Sequence, residues 1–194
     1  MLYQEAPIQC AVRGKIAGMA VLPQLISVEQ FRQLPEGELL YELHHGEVVA
    51  LTRPRARHWK LQLRLSRLLE PRLKDFGEVA TEVPYRPLAE FELRAADVAA
   101  ISRARWDAID PDDNLHGAPE LVIEVKSPSN TERQLRELVA LRLNNGAVEC
   151  WIVDAGQKSI TVIRREGAAV FAAGASVSLS AFGGGELAVD EIFG

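Results

Sequence analysis

Residues 120–129 read ELVIEVKSPS. Leu121, Val122, Ile123 and Val125 form a short apolar run of the kind found in a strand covered on both faces. Glu124 and Lys126 interrupt it. Side chains two apart on a strand share a side, roughly 7 Å apart along it. A carboxylate and an ammonium therefore emerge together from a core strand, and neither is cheaply buried without a partner. Pro128 ends the strand. Ser129 or Thr131 can cap a helix from about Glu132 to Asn145, which Asn144-Asn145-Gly146 closes.

Working outward, ECWIVD (149–154) and SITVIRR (159–165) read as two strands joined by Ala155-Gly156-Gln157-Lys158. Upstream, FELRAADVAAIS (91–102) and EVATEVPYR (78–86) read as two more, with Pro84 marking an edge or a bulge. Between 107 and 119 the chain is a polar loop. Trp59, Leu61, Leu63, Leu65, Leu68, Leu69 and Leu73 recur mostly at helical spacing, with a break near Pro71 and a stop at Gly77. Two apolar runs flank His45-Gly46, which predicts a β-hairpin over roughly 39–52, and Ser27 can cap a short helix before it. After 165 the chain is rich in small residues and predicts one or two short strands around a Gly183-Gly184-Gly185 loop. The order is hairpin, helix, three strands, helix, two strands. The fold class expected is a mixed α/β protein with helices packed on a central mixed sheet.

The 194 residues suffice for one domain with a substantial core. We expect a tail over 1–26, of which 1–18 is either flexible or an overcalled start, and a single domain over 27–194. Two distant cysteines, Cys10 and Cys150, make neither a disulfide framework nor a zinc cluster and point to a reducing cytoplasm. No run approaches the roughly 20 apolar residues of a membrane span. The formal charge of −5 means that any nucleic-acid contact must come from a local patch. The best patch is Arg53, Arg55, Arg57, Lys60, Arg64, Arg67, Arg72 and Lys74, against the single acid Glu70. Guanidinium groups pair well with phosphate, although such a run can equally be a solvated helix face.

The chemistry lies in Asp97, a lone acid inside the apolar strand 91–102, and in Glu124 and Lys126. Glu124 and Lys126 could simply pair with each other or with neighbours. If the two strands are adjacent, Asp97 sits beside Glu124, and two close carboxylates call for a cation between them. Mg²⁺ or Mn²⁺ would take oxygen ligands and activate a water, with the Val125 carbonyl as a further ligand. A lysine beside it can serve that water. Such a set can hydrolyse a phosphodiester. His58 begins the long helix and either approaches this site or is an ordinary polar first-turn residue. Glu42 and Glu47 flank the hairpin turn; they could reach the site, but exposed hairpin charges are the commoner explanation. Asp110, Asp112, Asp113 and Asn114 read as a solvated turn. No G-x-G-x-x-G, G-x-x-x-x-G-K-[ST] or G-x-S-x-G occurs, which removes support for dinucleotide, P-loop and α/β-hydrolase chemistry.

In order and spacing, YELHHGEVV (41–49), His58, Asp97, GAPELVIEVKSPSN (117–130) and ECWIVD resemble the bacterial Uma-type restriction-endonuclease family of the PD-(D/E)XK superfamily. The resemblance runs from about Ser27 to the end of the chain. It implies a restriction-endonuclease-like core with the hairpin as an N-terminal extension. It also implies Asp97 and Glu124 as metal ligands, Lys126 as the catalytic lysine, DNA as substrate and a homodimer for two-strand cleavage. Arg53, Arg55, Arg57 and Lys60 would contact the backbone. The sequence departs from the family pattern at Ala96, where the superfamily name has proline. It departs again at Leu138 and Arg142, where relatives commonly carry lysine and tyrosine. The Ala96 departure is common and carries no weight; the net negative charge and the Leu138 and Arg142 departures favour a rival, a catalytically inactive nucleic-acid- or protein-binding module on the same fold. Hydrolysis of another phosphoester in the same pocket is a third reading.

Overall fold

The run 121–125 becomes the middle of a seven-stranded mixed sheet, in a computed structural model that describes residues 25–35, 40–51, 53–128 and 130–194. Cys10 and most of the expected tail lie outside the described residues. The strands are β3 (Gly77–Arg86), β4 (Arg94–Ser102), β5 (Leu115–His116), β6 (Leu121–Val125), β7 (Glu149–Asp154), β8 (Ser159–Arg164) and β9 (Gly167–Phe171), in the order β5-β3-β4-β6-β7-β8-β9. β4 pairs antiparallel with β6, whereas β6 and β7 run parallel. A parallel pair needs a crossover, and helix α4 (Glu132–Asn144) supplies it. Thr131 caps α4 with a reciprocal Gln134 bond, a capping box.

Helix α2 (Ala56–Leu69) lies on one face. Leu61, Leu65 and Leu69, at successive turns, are buried against Val98, Ala100, Ile123, Val125 and Trp151. Fully burying one such leucine stabilises by about 1.5–3 kcal/mol. The C-terminal hairpin of β10 (Ser176–Ser178) and β11 (Glu186–Ala188), with α5 (Val189–Phe193), completes that side. α4 covers the other face, packing Val139 and Leu143 with Ala99, Ile101, Val122 and Cys150.

The predicted hairpin is β1 (Leu40–His44) and β2 (Glu47–Leu51), a separate two-stranded sheet. His45 and Gly46 have φ of 50° and 82°, as a two-residue type I′ turn requires. Leu43 bridges to Leu93 and packs with Ile26 and Val28, the latter in the short helix α1 (Val28–Arg32). The hairpin therefore stands beside the start of β4.

The loop expected over 107–119 holds more structure than its polarity suggested. Helix α3 (Arg103–Asp107) begins directly after β4, and β5 pairs in parallel with the end of β3, where Leu115 and Ala118 are buried and Ile109 packs against the same cluster. The small-residue tail also yields three strands and a helix, where one or two strands were expected.

Candidate active site

β4 and β6 part at one end. Their register ends at Val98↔Ile123, and one further step sets Asp97 opposite Glu124. There the Val125 N–H donates to Asp97 Oδ2 at 2.7 Å, so a side chain fills the opening fork. Asp97 Oδ1 accepts from His58 Nε2 at 2.9 Å and from Gln62 Nε2 at 2.8 Å. His58 and Gln62 lie one turn apart on α2, beside its apolar stripe, and Gln62 is itself buried. Sequence reasoning missed Gln62, although a lone amide on a buried helix face was a usable signal.

Glu124 faces the other helix. Its Oε1 accepts from Arg142 Nη2, and Arg142 Nε donates to the Tyr85 hydroxyl at 2.6 Å. Arg142 is 1% exposed, and its Nη1 is buried with no protein partner. The sequence counted Arg142 as a departure against activity. In the structure Arg142 brings a cation directly to Glu124. Leu138, the other departure, is half-buried on α4 and supplies no polar group.

Burial pushes the Glu124 carboxyl up to about 7; Arg142 opposes this, while Asp97 and Glu42 add to it. Glu42 is therefore part of the site and not the exposed hairpin charge that the sequence suggested. Its Oε1 accepts from the Ala95 N–H at 2.8 Å and its Oε2 lies 2.7 Å from His44 Nε2. The docked hairpin, invisible to local sequence patterns, carries it inward. Glu47 is exposed at the turn as expected. His58 titrates above its ordinary value: its bond to Asp97 raises it, burial opposes, and the charges of Asp97, Glu124 and Glu82 add. Glu82 bonds Gln62 from a β3 position with φ of 53°, rare for a residue with a Cβ. Arg142 stays protonated although burial opposes its charge, because Glu124 and Tyr85 favour it.

Lys126 lies just past β6 and directs its amine elsewhere. Nζ donates to Glu132 Oε1 at 3.1 Å and lies 3.4 Å from Asp154 Oδ2. The structure brings it to the α4 N-terminus, with no ion pair to Asp97 or Glu124. Val125 offers Asp97 its N–H; the sequence had singled out its carbonyl. Arg53, Arg55, Arg57 and Lys60 are all exposed, at and just before the start of α2 and within two turns of His58.

The donor set suits a hard dication. Asp97 accepts three hydrogen bonds, which leaves about one of a carboxylate's four acceptor sites free, and Arg142 hydrogen-bonds Glu124 through Oε1. Among the described residues no group of three His, Cys, Asp or Glu side chains is arranged to hold a metal. Any ion would rest on one or two carboxylates plus water and substrate oxygens, the usual mode for Mg²⁺. Burial pushes the Cys150 thiol up to about 12, which leaves it an inert core residue. Among the described residues no helix is long and apolar enough to cross a membrane.

Comparison with known proteins agrees with this architecture. The crystal structure of "a putative nuclease belonging to DUF820 from Anabaena variabilis ATCC 29413" superposes with a TM-score of 0.72 at 19% identity, covering 87% of this chain and 97% of that one. At that identity the likeness speaks for the fold. No curated protein matches. The model of the family described as "Uma2: Putative restriction endonuclease" matches residues 28–190, which span α1, the hairpin, the whole sheet and both carboxylates of the fork. The chain belongs to that family of restriction-endonuclease-like proteins.

Proposed function

We propose that the chain is a divalent-metal-dependent endonuclease acting on DNA, with Asp97 and Glu124 as ligands of Mg²⁺ or Mn²⁺. The observation that carries this reading is the fork, where the Asp97 and Glu124 carboxylates stand opposite each other at the parting end of β4 and β6. A bound dication would stabilise charge on the scissile phosphate and lower the pKa of an attacking water. His58 and Gln62 fix the orientation of Asp97 by holding Oδ1. Arg142 holds one oxygen of Glu124 and leaves the other for the ion. Lys126 can serve the water once its amine leaves Glu132 and Asp154. Arg53, Arg55, Arg57 and Lys60 provide phosphate contacts near His58. Residues 27–194 act as one domain, and two copies working in the cytoplasm would cut both strands.

The rival reading is a binding module with a vestigial pocket, and the ion pairs of Lys126 favour it. Plasmid nicking in Mg²⁺ or Mn²⁺ separates the two. The wild type should cut, and Asp97→Asn and Glu124→Gln should each lose at least about a thousandfold, since the metal supplies several kcal/mol. Binding without cleavage in every metal would leave the module. A panel with single-stranded DNA, RNA and small phosphoesters identifies the substrate class.

A further inference from the structure

Beside the carboxylate fork lies a cavity of about 680 Å³, within the range of small-ligand sites. Its walls are the β1–β2 hairpin and α2, and its floor is β3 and the start of β4. Leu40, Tyr41, Leu51, Trp59, Leu63 and Pro84 make it largely apolar. It adjoins the fork, because Gln62 lines it and also donates to Asp97. Trp59 and Leu63 are 46% and 37% exposed, unusual for large apolar side chains that flank charged chemistry.

The same two residues wall a second depression, of about 520 Å³, on the other side. Its remaining lining is Lys60, Arg64, Arg67 and Leu68; Arg64 donates to the Ile192 and Gly194 oxygens, so Lys60 and Arg67 are the cations that make it basic. Trp59 and Leu63 thus form a ridge between a cationic trough and an apolar cavity. A trough that attracts phosphate and a cavity that accepts a flat ring, separated by the Trp59–Leu63 ridge, match the alternation of a nucleotide. A paired base inside a duplex cannot enter such a cavity without being unstacked. A single strand presents its bases freely, and aromatic side chains hold them by stacking irrespective of sequence.

We infer that this ridge is a single-strand nucleic-acid site, with the phosphate backbone in the Lys60–Arg67 trough and an unpaired base on Trp59 facing the apolar cavity. The inference deepens the nuclease reading and rests on it for the choice of ligand. It gives the enzyme a preference for single-stranded or locally unpaired substrate, delivered towards Asp97 past Gln62. A peptide or a second copy of the chain would suit the apolar cavity. Neither would explain a cationic trough sharing its wall on an acidic protein.

The test is binding of metal-free protein to fluorescent oligothymidylate, to the same oligomer with abasic sites, and to a duplex of equal length. The intact single strand should bind about five- to a hundredfold tighter than the abasic one and should quench tryptophan emission. Trp59→Ala should erase that preference, Trp59→Phe should keep part of it, and Arg67→Gln should weaken all three ligands and flatten the salt dependence. Equal binding of intact and abasic strands, or a preference that survives Trp59→Ala, overturns the inference. So does a dimer that Trp59→Ala dissociates with no change in oligonucleotide binding. The preference without cleavage in any metal would sink the nuclease reading alone; duplex cleavage without the preference would sink this inference alone.

Discussion

Two acid-and-arginine clusters sit at different edges of this protein. Beside the edge strand β5, Asp113 accepts from Arg32, Arg86, His116 and the Asn114 N–H. The His116 bond leads these partners in holding the Asp113 carboxyl well below the usual range, against burial, which opposes it. At the fork, Glu124 has Arg142 against Asp97 and Glu42, and burial pushes it up. The first cluster satisfies its acid in a network that pins a loop, although Arg86 Nε stays buried without a partner. The second gathers Asp97, Glu124 and Glu42 against His58, Arg142 and Arg94 in a partly open place, and there burial outweighs every charge in raising Glu124. An acid-rich sequence stretch therefore says little until its cations are counted in space. Asp110, Asp112 and Asp113 look more like a metal loop than Asp97 does.

Arg142→Met should break the contrast most sharply. It strands Glu124 and the Tyr85 hydroxyl in a buried setting, which costs about 3–5 kcal/mol, read as a lower midpoint in urea unfolding. A midpoint within the error of wild type would mean that the clamp is not formed. Asp113→Ala is the matched change at the satisfied cluster. It should cost about 1–2 kcal/mol, because water already reaches the hydrogen bonds and ion pairs that Asp113 makes, and should leave Mg²⁺-dependent nicking unchanged. Lost nicking there would erase the functional distinction between the clusters.

The smallest effect is a difference in pH response. Glu124 and His58 are raised on folding, so their contributions are full at low pH. They fade as pH rises, for Glu124 between its ordinary 4.5 and about 7, and for His58 from 6.5 upward. Asp113 is lowered, so its contribution is full above 3.8 and is lost only as pH falls below that. The melting temperature of metal-free protein should drift down by a few degrees from pH 5.5 to 8, and Mg²⁺ should offset the drift. Glu124→Gln should flatten it, whereas Asp113→Ala should not.

Much of this was legible in the chain. The apolar run around Glu124, the His45-Gly46 turn, the leucine stripe of α2 and the Thr131 cap are local signals, and each produced the element it announced. The approach of His58 to Asp97 was one of two readings left open, and the register of β4 on β6 decides it. What stayed hidden depends on docking. Glu42 enters the site only because Leu43 bridges Leu93. Arg142 matters only because α4 folds back over β6, and Lys126 turns away only because Glu132 and Asp154 meet it at the strand's end. None of these partners lies within a window that periodicity can read.

Glu124 and Arg142 also belong to one continuous β6–α4–β7 segment, eighteen positions apart along the chain. Bringing such near neighbours together forfeits little chain entropy, because closure cost grows only slowly with loop length. Asp97 and its α2 partners come from farther upstream and must wait for the antiparallel strands to zip. The guanidinium side of the fork is thus a contact of low order that can form early in folding, and the histidine side is added to it.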